Sequence, residues 1–159
     1  MGTHVDAPLH FIDNEKPIGL LDLNIFIGAC QVIKVNSSTS TPVLVEELSQ
    51  YKELPPRVLI CTTNENKYNE WTDNYRPLSI ELIDFLYKKK VKLIGIDSPS
   101  VDSFYSKNAA VHKQIFSYGI TILESLYLNH VPEGEYELIA LPLKFMNLEA
   151  SPVRAILRV

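Results

Sequence analysis

The chain has few of the features that mark several large protein classes. It contains only two cysteines, Cys30 and Cys61, both in apolar stretches and without Cys-x-x-C spacing, which argues against a disulfide framework or a zinc knuckle. No apolar run reaches the roughly 18 residues of a membrane-spanning helix, and the first residues do not resemble a signal peptide. We therefore expect buried free thiols, no membrane partner and a cytoplasmic location.

Excess positive charge is also absent. The 15 basic residues are outnumbered by 19 acidic ones, which leaves a net charge of -4 and no basic surface for nucleic acid. The chain also lacks a Gly-x-Gly-x-x-Gly motif and a Walker-type loop, so a nucleotide-binding domain is a weak hypothesis. Apolar residues make up 46% of the 159 residues, which is typical of a globular protein and predicts a single domain over 1–159.

Apolar and β-branched runs alternate with segments of helical periodicity. Strands are predicted over 28–35, 57–62, 91–97, 120–128, 136–145 and 152–159, and helices over 41–50, 79–90 and 105–118. The strand, helix and strand between 57 and 97 indicate a parallel βαβ unit. The pattern predicts an α/β fold with a mixed sheet and helices packed on its faces, with ligand-binding loops at the carboxyl ends of the parallel strands.

The opening segment GTHVDAPLHF, residues 2–11, concentrates side chains that bind metals or move protons. His4 and Asp6 are two residues apart, so they share one face of an extended strand and can converge on one ion. Imidazole and carboxylate ligands together suit zinc or manganese. Pro8 interrupts a regular ladder, which leaves His10 free to return to the site as a proton donor or acceptor. A surface hydrogen-bonding pair is the competing interpretation of His4 and Asp6.

A second pair of candidate ligands is His112 and Glu124. On one straight helix they would lie about 18 Å apart, too far to share an ion. Gly119 favours a helix end, however, and the β-branched residues after it favour a strand, so the chain can turn back and bring Glu124 to His112. A carboxylate in an apolar strand is costly to bury unless it is paired or coordinated. A salt bridge to a lysine or to Arg154 is the alternative.

Three segments resemble the cyclase-type metal-dependent hydrolases. Residues 2–11 are similar to the family pattern His-x-Gly-Thr-His-x-Asp-x-Pro-x-His, and residues 95–102, GIDSPSVD, are similar to its second block. Residues 140–155 resemble its C-terminal block in the form found in bacterial kynurenine formamidases. The resemblance covers essentially the whole chain. It implies a swivelling β/β/α fold, assembly into a homodimer or homotetramer, and a small aromatic amide as substrate.

The resemblance also implies a binuclear metal site, usually with Zn²⁺ and in some members with Mn²⁺. His4 and Asp6 would bind the first ion, Asp6 would bridge to a second ion held by His112 and Glu124, and His10 would be the catalytic acid/base. The family's first histidine falls two positions before Gly2, ahead of Met1. The resemblance therefore implies a domain truncated at its N-terminus, with one ligand missing from the first metal site.

The activity implied by the resemblance is hydrolysis of N-formyl-L-kynurenine to L-kynurenine and formate, a step of tryptophan catabolism. Trp71, Tyr75 and Phe104 are candidates for an aromatic substrate pocket, and packing explains each of them equally well. Two other hypotheses stay open. The chain would hydrolyse another small amide or a lactam such as isatin, or it would be an inactive family member that binds a metal or ligand.

Overall fold

The sheet is the framework of the protein. The computed structural model describes residues 2–35, 41–63 and 72–159. Within these ranges, eight strands form one sheet in the order β7-β1-β5-β4-β3-β2-β6-β8. The strands are β1 (His4–Asp6), β2 (Ile27–Lys34), β3 (Arg57–Cys61), β4 (Leu93–Ile96), β5 (Thr121–Glu124), β6 (Gly134–Ile139), β7 (Ala150–Pro152) and β8 (Ile156–Arg158).

The described part of the chain contains few helices. The described α-helices are α1 (Ile80–Lys88) and α2 (Ala110–Ser117), and single turns of 3₁₀-helix occur at Pro8–His10, Ile18–Leu20, Leu23–Ile25 and Val45–Glu47. Helix α1 begins where the Ser79 hydroxyl accepts a hydrogen bond from the Leu82 amide at 3.2 Å. Neither described α-helix has the length and apolar character of a membrane-spanning segment.

Parallel strands occupy the centre of the sheet and antiparallel strands its two sides. β2, β3, β4 and β5 pair in parallel, whereas β1 runs antiparallel to β5 and β7, and β6 runs antiparallel to β2 and β8. Every residue of β3 and β4 is buried, because both sheet faces are covered. One face packs against α1 and α2. On the opposite face, strand residues that include Leu59, Leu123 and Leu138 form a second apolar cluster with Phe26.

Several predicted elements are confirmed. The strands predicted over 28–35, 57–62 and 91–97 correspond to β2, β3 and β4, and the helix predicted over 79–90 corresponds to α1. The intervening βαβ connection produces the predicted parallel pairing of β3 with β4. The alternation of buried strands with one amphipathic helix was sufficient to identify this half of the fold.

The helix predicted over 41–50 is wrong. The chain forms only the 3₁₀ turn Val45–Glu47 there. Val43 is instead extended: it forms a bridge with Leu78, its amide donates to the Pro77 carbonyl at 2.8 Å, and its carbonyl accepts from the Ser79 amide at 3.1 Å. This long-range pairing takes the backbone groups that a helix would need, so tertiary contact overrides the local propensity.

Three predicted elements were too long. The predicted helix over 105–118 begins only at Ala110, and the predicted strand over 136–145 ends at Ile139. The strand predicted over 120–128 ends at Glu124, because Ser125 has a left-handed φ of 56°. The segment predicted as a strand over 152–159 is divided between β7 and β8, which lie at opposite edges of the sheet.

Close packing beside β4 makes a prediction for Gly95. An added Cβ would lie 2.4 Å from Leu59 Cδ2 and 2.8 Å from Leu126 Cδ1. We expect Gly95→Ala to lower the free energy of unfolding by about 1–3 kcal/mol, as overpacking of a close-packed core does. Urea unfolding monitored by circular dichroism measures this. The control Lys92→Ala, at an exposed position before the same strand, should change it by less than about 0.5 kcal/mol; equal stability of both variants would contradict the prediction.

Candidate metal centre

Strand pairing brings three of the predicted site residues together. β1 lies between β5 and β7, and its register places His4 directly opposite Glu124. Residues directly opposite one another in an antiparallel pair project from the same face of the sheet. Asp6 shares that face with His4 because it lies two residues further along the strand. The imidazole and the two carboxylates therefore converge on the face that α2 covers.

The four predicted metal ligands form one buried cluster. His4 Nε2 lies 3.5 Å from Asp6 Oδ1 and 3.4 Å from Glu124 Oε2. From α2, His112 Nε2 lies 3.3 Å from Glu124 Oε1 and 3.8 Å from Asp6 Oδ2. All four residues are buried, and donor atoms of His4, Asp6 and Glu124 lie within 4.8 Å of one another. This group of three thus combines residues from both pairs of predicted ligands.

Hydrogen bonds on the far side of each imidazole set its orientation. His4 Nδ1 lies 2.9 Å from the Gly2 carbonyl oxygen, and His112 Nδ1 lies 2.6 Å from Asp102 Oδ2. A backbone carbonyl only accepts hydrogen bonds, so Nδ1 of His4 carries a proton. Both rings consequently present Nε2 to the two carboxylates, which is the atom a histidine ligand offers when Nδ1 is occupied elsewhere.

The cluster favours the charged forms of both imidazoles and of Glu124. Burial opposes ionisation of His112, but hydrogen bonds to Asp102, Asp6 and Glu124 outweigh it and raise the pKa of His112 to about 11. Burial likewise opposes the charged form of His4, and Glu124 and Asp6 raise its pKa nonetheless. Burial favours the neutral form of Glu124, yet hydrogen bonds from His112 and His4 keep its pKa below the ordinary value. The ionised form of Glu124 is therefore stabilised by the positive charge that faces it.

A divalent cation fits this set of donors. Two imidazole nitrogens and two carboxylates are the ligands that Zn²⁺ and Mn²⁺ accept in proteins. Buried carboxylates without a counter-charge are strongly unfavourable, and a bound cation supplies that charge as well as two imidazolium ions do. The chemistry of the donor atoms therefore supports a divalent metal at this position.

His10 lies beside the cluster rather than in it. It ends the 3₁₀ turn Pro8–His10, and its ring centroid is 6.2 Å from that of His112. Its Nδ1 atom is 3.2 Å from Glu149 Oε1, close enough for an ion pair but without hydrogen-bond geometry. About one third of its side chain is exposed. This position leaves the His10 ring accessible to a ligand bound next to the cluster.

A cavity of about 420 Å³ lies next to His112. Its walls combine aromatic, cationic and carboxylate side chains, among them Phe11, Tyr75, Asp102, Phe104, Lys107 and Lys113. Phe11 also packs on the His112 ring, with 4.4 Å between ring centroids. Of the three aromatic residues suggested by the sequence for a pocket, Tyr75 and Phe104 line this cavity, and Trp71 lies outside the described residues.

The remaining histidine and the two cysteines are not part of the cluster. His130 is an exposed residue that packs on Tyr127, with 4.4 Å between ring centroids. Cys30 and Cys61 are buried free thiols in β2 and β3. Asp102 is the residue that the sequence analysis missed: it belongs to the segment GIDSPSVD, but a carboxylate in a loop carries no periodic signal that links it to His112.

Comparison with known proteins identifies the family. The sequence profile of the Cyclase family, described as "Putative cyclase", matches residues 1–103. That match covers more than half of the chain, and the chain belongs to this family. The family predicted from the three sequence segments is therefore confirmed.

Individual relatives agree with this assignment. The chain is 44% identical over 158 residues to the kynurenine formamidase of Bacillus cytotoxicus, which covers 99% of this chain and 75% of that protein. The structure of this chain is similar to that of a potential metal-dependent hydrolase with cyclase activity. The TM-score is 0.88 at 28% identity, and the match covers 99% of this chain and 77% of that one.

An isatin hydrolase bound to the product analogue thioisatinate shares the fold as well. Its TM-score is 0.81 at 22% identity, with coverage of 99% of this chain and 71% of that one. Together with the mixed sheet and its packed helices, these likenesses confirm the predicted cyclase-type α/β fold.

The buried charges predict the pH dependence of the metal-free protein. Because the pKa of His112 rises from 6.5 to about 11 on folding, its stabilising effect is complete below pH 6.5 and is lost as the pH rises toward 11. Glu124 has a lowered pKa, so its effect is present above the ordinary value of 4.5 and is lost on acidification. Urea unfolding in the presence of a chelator should therefore show maximal stability between about pH 4.5 and pH 6.5.

The matched control for this profile is His112→Asn. The variant should lose much of the decline in stability above pH 6.5, since it lacks the imidazole that titrates. A metal-free protein that becomes more stable between about pH 7 and 9 would contradict the assignment of the charges.

Proposed function

We propose that this chain hydrolyses N-formyl-L-kynurenine to L-kynurenine and formate. The reaction class follows from the family, and the kynurenine formamidase at 44% identity supports the substrate. The observation that carries the proposal is the buried cluster of two imidazoles and two carboxylates beside a cavity with aromatic walls. Such a constellation suits hydrolysis of a small aryl amide.

For the metal we propose Zn²⁺, two ions per chain as in the complete family site, with Mn²⁺ as the alternative. His4 and Asp6 would hold the first ion, and Asp6, His112 and Glu124 the second. The contacts of 3.3–3.8 Å between these side chains support a metal site that the four residues share. A bound cation of this kind acidifies water and polarises an amide carbonyl. The protein's part is to hold both Nε2 atoms turned toward the two carboxylates.

We propose His10 as the catalytic acid/base. Hydrolysis breaks the bond between the formyl carbon and the aromatic amine nitrogen, and that nitrogen must receive a proton as it leaves. An imidazole donates and accepts protons near neutral pH, which suits this role. The partly exposed ring of His10, 6.2 Å from the His112 ring, supports the assignment because it borders the cluster without belonging to it.

The cavity accounts for the proposed substrate's other groups. Phe11, Tyr75 and Phe104 offer apolar walls for an aryl ring, and Lys107 and Lys113 offer positive charge for the amino-acid carboxylate. A volume of about 420 Å³ is in the range of small-molecule binding sites. Isatin, a lactam without a carboxylate, is the alternative substrate, and an inactive metal- or ligand-binding member of the family is the alternative function.

We also propose a cytoplasmic location and assembly into a homodimer or homotetramer. The two buried free thiols support a reducing compartment. Assembly is supported by large apolar side chains that are at least 44% exposed near the C-terminus, including Leu141, Leu143, Met146, Leu148 and Ile156. Exposed apolar surface of this kind commonly marks protein contacts.

Metal content is the direct test of the site. We expect the zinc-reconstituted chain to hold close to two equivalents by elemental analysis, and Asp6→Ala and His112→Ala to lose at least one, since each removes a proposed ligand. His10→Ala is the matched control: it should keep its zinc and lose formamidase activity by about 10²-fold or more. A chain that binds no zinc or manganese after reconstitution would favour the inactive module.

The lysines provide a test of the substrate. We expect Lys107→Ala and Lys113→Ala to raise KM for N-formyl-L-kynurenine by about 5–50-fold, the effect of losing a charge-assisted contact. KM for formanilide, an aryl formamide without the amino-acid group, should stay within about twofold in both variants, because it presents no carboxylate. Equal changes in KM for both substrates would show that the lysines do not recognise the carboxylate.

A further inference from the structure

We infer that Asp102 is a positioning residue that sets the orientation and tautomer of His112 for metal binding and, with the same carboxylate, anchors the start of α2. The inference rests on the proposed function, because it concerns a neighbour of a proposed metal ligand. One carboxylate would then both stabilise the first turn of α2 and orient the imidazole proposed for the second ion.

The carboxylate of Asp102 is shared among four donors. Its Oδ2 lies 2.6 Å from His112 Nδ1 and accepts from the His112 backbone amide at 3.0 Å. Its Oδ1 accepts from the Val111 amide at 3.1 Å and from the Ser106 hydroxyl at 3.3 Å. Only 6% of the residue is exposed. Such a complete set of partners holds the carboxylate in one orientation.

Helix α2 depends on this carboxylate because its own flank supplies no cap. The residue before the helix, Ala109, is in the left-handed region with φ 48° and ψ 51°, and no side chain at that position accepts a hydrogen bond. The first amides of a helix have no partners within the helix. Asp102, seven residues before Ala109, accepts from two of them and places a negative charge at the favourable end of the helix dipole.

The same contact determines which nitrogen of His112 is available. An ionised carboxylate only accepts hydrogen bonds, so Nδ1 of His112 is the donor of the 2.6 Å contact. Once the ring is neutral, its single proton is therefore on Nδ1, and the lone pair on Nε2 points toward Glu124 and Asp6. A carboxamide at position 102 can instead donate to Nδ1, which would move the proton to Nε2 and block it.

The residue before Asp102 acts on the neighbouring proposed ligand. The Val101 amide donates to Glu124 Oε1 at 2.8 Å, and the Val101 carbonyl accepts from the Leu78 amide at 2.9 Å. Two consecutive loop residues thus contact the imidazole and the carboxylate proposed for the second ion. The loop after β4, rather than α2 or β5 alone, fixes the relative position of these two groups.

The test compares zinc affinity in Asp102→Asn, Asp102→Glu and Gln114→Ala. The Asn variant keeps the shape of the side chain but reverses its contact with Nδ1, so we expect zinc to bind about 10–100-fold more weakly in competition with a chromophoric chelator. The Glu variant keeps a carboxylate acceptor and should bind zinc more tightly than the Asn variant. Both affinities are measured on the full chain, with Tm recorded in parallel.

Gln114→Ala is the control for helix stability. Gln114 lies on α2 and donates to Asp84 Oδ1 and to the Tyr118 hydroxyl, each at 2.9 Å, without contacting the proposed ligands. We expect this variant to lower Tm of the metal-free chain and to keep wild-type zinc affinity. The tautomer is read separately, from the imidazole ¹⁵N shifts of the zinc-loaded chain, which should show His112 protonated at Nδ1.

The outcomes are distinct. Wild-type zinc affinity in Asp102→Asn, or equal losses in the Asn and Glu variants, would overturn the inference while leaving the proposed function intact. A zinc-loaded wild-type chain with His112 protonated at Nε2 would overturn it as well. If the unsubstituted chain bound no zinc or manganese, the proposed function would fail and the inference would fail with it.

Discussion

The antiparallel pairing of β1 with β5 is the contact on which the centre of this protein depends. It places His4 opposite Glu124, and the strand repeat then adds Asp6 on the same face. β7 pairs with the other side of β1 and holds it inside the sheet rather than at its edge. A strand of three residues has little stability of its own, so the position of these side chains comes from its two neighbours.

Burial of the cluster makes its charges depend on one another. Two carboxylates enclosed by a sheet and a helix are costly unless positive charge accompanies them. In the metal-free chain, His4 and His112 supply it, and the carboxylates in turn raise the pKa of both rings. The cluster therefore stabilises the fold only when a cation is present, whether imidazolium or metal. A site that binds a divalent ion tightly must displace the protons that otherwise balance the same charges.

The sequence analysis predicted most of the parallel core and the members of the cluster from local signals. Apolar and β-branched runs located β2, β3 and β4, and the two-residue spacing of His4 and Asp6 placed them on one face. The helix end at Gly119 made the approach of Glu124 to His112 plausible, and the structure brings them within 3.3 Å. The helix expected over 41–50 failed because Val43 pairs with Leu78, a contact between residues far apart in the chain.

Within the site, Asp102 is likewise a residue whose contacts could not be predicted from local sequence signals. Three of its four partners are the Val111 amide, the His112 amide and the His112 imidazole. They follow nine and ten residues later, around an irregular loop, and no repeat or spacing rule connects them to Asp102. The left-handed conformation of Ala109, which creates the need for this distant cap, is likewise invisible in the order of residues. Loop contacts of this kind arise from the path of the backbone rather than from local propensity.

By itself, then, the sequence determined the class of fold, the family and the residue types of the cluster, because each is encoded in short-range periodicity or in a compact motif. The tertiary structure alone decided that His4 faces Glu124, that Nε2 of both imidazoles points inward, that His10 stands beside the cluster, and that Asp102 joins α2 to it. These properties depend on strand order, register and loop path, which are set by burying both faces of the sheet at once.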